Sequence, residues 1–69
     1  MSGATYKSID LVGTSAESYA DATRAAVRRA SETMRGLKWF EVVEQRGHID
    51  GSEVTEFQVR VRVWFSLEA

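Results

Sequence analysis

The sequence predicts an α+β domain of order β-α-β-β, a three-stranded antiparallel sheet wrapped on one helix. Three observations carry that prediction. Phe57 to Leu67 alternates without a break: Phe57, Val59, Val61, Val63, Phe65 and Leu67 fall on one side, and Gln58, Arg60, Arg62, Trp64 and Ser66 on the other. Side chains that point alternately to two faces are the mark of a strand. From Ser15 to Arg35 the apolar positions recur instead with the period of a helix. Between two strand-like runs stands Asp50-Gly51, a two-residue hairpin signal.

The first strand is expected over Thr5 to Val12, with Ile9 and Leu11 on one face and Tyr6, Ser8 and Asp10 on the other. Gly13 is expected to break it. Thr14-Ser15-Ala16-Glu17 has the spacing of a capping box, in which the Thr14 hydroxyl takes the Glu17 amide and the Glu17 carboxylate reaches back. The helix then runs from Ser15 to Arg35. Tyr19, Thr23, Ala26, Ala30, Met34 and Leu37 form its apolar face, flanked by Ala22 and Val27, and Asp21, Arg24, Arg28, Glu32 and Arg35 form the opposite one. A stripe made mostly of alanine lets a helix lie close against a sheet. Gly36 stands where a C′ glycine stops a helix.

The second strand is expected over Leu37 to Ile49, with Trp39, Val43, Gln45 and Ile49 on one face and Phe40, Val42, Arg46 and His48 on the other. Its faces are mixed, which suggests either a bulge or burial on both sides at one end. The third strand spans Glu53 to Leu67. One helix covers only one face of such a sheet, and strands of this length are long for so small a domain. The second face and the edges must be solvated or must pair with other copies, so a closed homo-oligomer is the physical expectation.

Composition narrows the function. The 69 residues make a single domain, 1–69, too short to gain much from its own core. There is no cysteine and one histidine, His48, which removes disulfides, thiolate chemistry and a dedicated transition-metal site within one chain. The net charge of -1 gives no field toward nucleic acid. No apolar run reaches the length of a membrane span, and the N-terminal MSGATYKS lacks a secretory core, so a cytoplasmic protein is expected. No glycine-rich phosphate loop is present, and His48 near Asp50 has no serine placed for a catalytic relay. No catalytic residue and no metal ligand stands out.

The residues left are candidates for binding. Trp39, at the start of the second strand, suits either a packing anchor or a flat surface for a planar ring. Gln58 is either an exposed amide or a paired donor and acceptor for a heterocycle edge. Arg60 and Arg62 fit a solvated face or interface ion pairs better than a phosphate site, and Arg46 fits either.

Ile9-Asp10-Leu11-Val12-Gly13-Thr14-Ser15, Trp39-Phe40-Glu41-Val42, Arg46-Gly47 and Phe57-Gln58-Val59 together resemble the dodecin family over nearly the whole chain. The resemblance implies a hollow dodecamer that binds flavin (riboflavin, FMN or FAD) without turnover, for storage, buffering or protection from photochemistry. It implies flavins stacked between symmetry-related tryptophans, here Trp39, with Gln58 on the ring edge and Arg46 near a ligand phosphate. Two positions depart from the family pattern. Trp64 stands where a small residue is usual, and Lys38, before the stacking indole, stands where an acidic or neutral residue is common and so could alter flavin preference. An assembly protein for another planar or phosphorylated ligand such as coenzyme A, held by Arg46, Arg60 and Arg62, is the alternative.

Overall fold

A computed structural model describes residues 3–67; Met1, Ser2, Glu68 and Ala69, the ends of the expected domain, lie outside the described residues. The element order is β1 (Tyr6–Ser15), α1 (Tyr19–Ser31), β2 (Leu37–Asp50) and β3 (Glu53–Ser66). The sheet is antiparallel throughout, with β3 central in the order β1-β3-β2. The expected β-α-β-β architecture is thus the one observed. The longest alternating strand lies in the middle, where it is paired on both sides.

The core is small. Ala22, Ala26 and Ala30 of the helix pack on Val59, Val61 and Val63 of β3, with Leu11, Tyr19, Val27 and Leu37 around them. Alanine on one side and valine on the other let helix and sheet approach closely. Phe57 meets Tyr19 edge-on with ring centroids 4.9 Å apart. Leu67 lies past the end of β3 and is exposed, so it takes no part in this core.

Several expected boundaries move. Gly13 does not break β1: it pairs with Val59 within the strand. A Cβ there would collide with the Ala22 carbonyl oxygen and crowd Ala26, so its glycine serves the close approach of helix to sheet. The Thr14–Glu17 capping box does not form, because Thr14 is still in β1. Ser18 is the N-cap instead, its hydroxyl accepting the Asp21 amide at 3.0 Å. Ser15 supports it by accepting the Glu17 amide and donating to the Asp21 carboxylate.

At its other end the helix stops at Ser31, short of Arg35, and the amides of Glu32, Thr33 and Met34 close the last turn on Arg29 and Ala30. Gly36, with φ +76°, therefore leads the chain into β2 rather than capping the helix. The hairpin loop is Gly51-Ser52, one residue later than expected, with Asp50 paired to Glu53 and Gly51 supplying the positive φ of +66°.

The decisive difference lies in β2. Its register against β3 shifts between Leu37 and Trp39, between Val42 and Glu44, and between His48 and Ile49. Lys38 and Val43 are the extra residues on β2 at the first two shifts, and Thr55 is the extra residue on β3 at the third. Trp39, Glu41, Glu44, Arg46 and His48 consequently stand opposite Trp64, Arg62, Arg60, Gln58 and Glu56, on the face away from the helix. Phe40, Val42 and Gln45 stand opposite Val63, Val61 and Val59, on the helix face. The unbulged reading had put Trp39 and Arg46 on opposite faces; the bulge at Val43 puts them on one.

The helix lies over β1 and β3 more than over β2, and Phe40 and Val42 stay exposed. A cleft of about 640 Å³ runs between α1 and β2, lined by Arg24, Val27, Arg28, Phe40 and Val42 among others. Among the described residues no helix is long and apolar enough to cross a membrane.

Candidate functional site

The outer sheet face carries three zones in order along β3. At one end Tyr6, Trp39 and Trp64 form an aromatic cluster. Trp39 and Trp64, directly paired across β2 and β3, stack with centroids 6.1 Å apart and planes 26° from parallel. Tyr6 reaches from β1 to lie 4.8 Å from Trp39, tilted by 55°. Trp39 is still 47% exposed, so part of its indole remains open to a planar partner. Trp64 is partly buried, and its Nε1–H is buried without an acceptor among the described residues.

In the middle the face is tiled with opposite charges. Arg62 donates to both Asp10 carboxylate oxygens, at 2.8 and 3.2 Å, and lies 3.8 Å from Glu41. Arg60 donates to Glu44 at 3.3 Å. The bond from Arg62, reinforced by its charge, holds the Asp10 carboxyl below the usual carboxylate range, and the same bond pushes the Arg62 guanidinium up. These arginines are therefore occupied within the chain, as a paired face would have them.

At the far end Gln58 sits between two charged groups. Arg46 Nε donates to Gln58 Oε1 at 2.6 Å, and Gln58 Nε2 donates to Glu56 Oε1 at 2.7 Å. Arg46 makes no ion pair among the described residues. His48 Nδ1 lies 2.9 Å from the Thr55 hydroxyl, so its polar partner is that hydroxyl and not Asp50.

Of the residues singled out from the sequence, the structure joins Gln58 with Arg46 and places Trp39 on the same face. It does not join Trp39 to Gln58. Their partners on β3 are residues 64 and 58, so about 20 Å of strand separates the two ends at about 3.3 Å per residue. Lys38 is exposed at its bulge beside Trp39, far from Gln58. Tyr6 and Glu56 escaped the sequence reading. Glu56 was within reach of it, since residues two apart on a strand share a face; Tyr6 needed the β1–β3 register, which a sequence does not state.

The fold and site can be set beside known proteins. A family model for dodecin matches residues 5–68. Dodecin from Thermus thermophilus is 50% identical over 66 residues, 96% of each chain. Calcium dodecin from Mycobacterium tuberculosis is 31% identical over 62 residues, 90% of this chain and 87% of its own. The solved structure of dodecin from Streptomyces davaonensis superposes with a TM-score of 0.92 at 43% identity, covering 99% of this chain and all of that one within rounding (100%). With the family model matching residues 5–68 and the backbone superposing over nearly the whole chain, this chain belongs to the dodecin family.

Proposed function

We propose that this protein binds flavin, as riboflavin, FMN or FAD, without turning it over, and holds it for storage, buffering or photoprotection inside a cytoplasmic homododecamer. One observation carries the reading: a half-open indole and an amide with spare hydrogen-bonding capacity stand on a single sheet face. Such a pair suits a planar heterocycle, the indole taking the ring face and the amide the ring edge. The distance between them adds a condition. A ring stacked on Trp39 does not reach Gln58 of the same chain, so one ligand takes its indole and its amide from different copies. Homo-oligomeric assembly supplies that arrangement.

A bound flavin would supply a planar, redox-active and photoexcitable ring. The Trp39 indole, electron-rich and in face contact with it, would quench its excited state by donating an electron. Arg46, with no carboxylate partner among the described residues, is available to a ligand phosphate. Titration with riboflavin tests the reading: W39A weakens binding about 10- to 100-fold, the range of a lost aromatic stacking contact. Unchanged affinity would refute the stacking role. Undiminished fluorescence of the bound flavin would refute photoprotection.

The coenzyme A reading loses most of its support, because Arg60 and Arg62 are engaged by Glu44, Asp10 and Glu41 and only Arg46 remains for a phosphate. The Mycobacterium relative is named for calcium. Among the described residues of this chain no three His, Asp or Glu groups are placed to hold a metal ion, so calcium binding is not part of the proposal.

A further inference from the structure

Glu56 precedes Gln58 by two residues on β3 and makes no ion pair among the described residues. It accepts from Gln58 Nε2, while Arg46 donates to Gln58 Oε1. The two bonds have opposite polarity and act together. Turning the amide over would set its carbonyl against a carboxylate and its NH₂ against a guanidinium, so both neighbours oppose the flip. An exposed glutamine between neutral groups has no such preference.

We propose that Glu56 is a specificity-determining positioning residue, which with Arg46 locks the Gln58 amide in one polarity and so fixes how a planar heterocycle is read. Valence counting shows what remains for the ligand. One N–H of Gln58 and one lone pair of its carbonyl are still free, the donor toward Glu56 and the acceptor toward Arg46. The site therefore takes a lactam or imide edge whose carbonyl lies on the Glu56 side and whose N–H lies on the Arg46 side. The charges act on the rest of the ligand in the same sense. A phosphorylated tail is repelled from Glu56 and attracted to Arg46, so ring edge and tail are oriented by the same two residues. This inference rests on the flavin reading for the identity of the ring, but the lock itself belongs to the ligand-free protein.

The test has two arms on the intact oligomer. In the ligand-free protein, the ¹⁵N side-chain amide resonances of Gln58 shift in E56A and in R46A and return toward wild type in E56Q, which keeps an acceptor. In the binding arm, riboflavin is used because it carries no phosphate. E56A weakens it about tenfold, the loss expected of one charge-assisted hydrogen bond. E56Q recovers part of that loss, and E56A causes no further loss in the Q58A background. Amide resonances identical in wild type, E56A and R46A overturn the lock. So does an E56A effect of the same size with and without Gln58. If wild type binds no riboflavin, the flavin reading fails, while the amide resonances still decide the role of Glu56.

Discussion

At the scale of single residues, the outer face is a set of commitments already made within one chain. Asp10 illustrates the consequence for pH. Its folded pKa lies below the ordinary aspartate value, so its carboxylate stabilises the fold fully above that value, near pH 4, and the contribution is lost as pH falls through the lowered one. D10N is accordingly expected to melt earlier than wild type at pH 7, and the gap to close at low pH; thermal melts at several pH values check this. Trp64 makes a different commitment, filling the space beside Trp39. W64A is expected to cost about 3 kcal/mol, the lower end for a large aromatic because the ring is only partly buried, as read by urea denaturation. It should also weaken riboflavin less than W39A does. Trp39, Gln58 and Arg46 were legible in the sequence as residue types in motifs. What each one touches was not, because contacts depend on register.

At the scale of elements, type and order were legible, since alternation and helical period are written along the chain. The ends were not. Gly13 read as a breaker because glycine weakens strands, yet the close packing of Ala22 and Ala26 demands it there. G13A should therefore destabilise by about 3 kcal/mol, since the added methyl meets backbone that cannot swing aside, as chemical denaturation would measure. Thr14-x-x-Glu17 and Ser18-x-x-Asp21 both offered a helix start, and the pairing of β1 with β3 as far as Ser15 decided for the second. S18A should cost about 1 kcal/mol in the same assay, while T14A should leave helix stability nearly unchanged. The faces of β2 could not be assigned by counting, because an inserted residue leaves no mark in the alternation beyond an ill-defined pattern.

At the scale of the molecule, the described part is 57 Å long and only 13 Å thick, with its apolar groups divided between a small core and an open cleft against β2. A body so thin leaves Phe40, Val42 and Val43 to be covered by something other than its own helix. Assembly answers both that need and the distance between Trp39 and Gln58. It also gives a decisive experiment. Co-refolding W39A with Q58A subunits in equal amounts should restore about one quarter of the flavin sites if indole and amide come from different copies, and none if both come from one chain. Fluorescence titration of the mixed oligomer reads that fraction directly. Val43 finally bears on how such a chain can change. Trp39 and Arg46 stand seven positions apart, and that odd spacing is compatible with a shared face only because the strand slips its phase once between them. Deleting Val43 would reduce that spacing from seven to six, which a regular strand keeps on one face without any slip. The strand would lose its bulge and still present indole and guanidinium together, whereas moving the bulge outside this stretch would put them on opposite sides of the sheet.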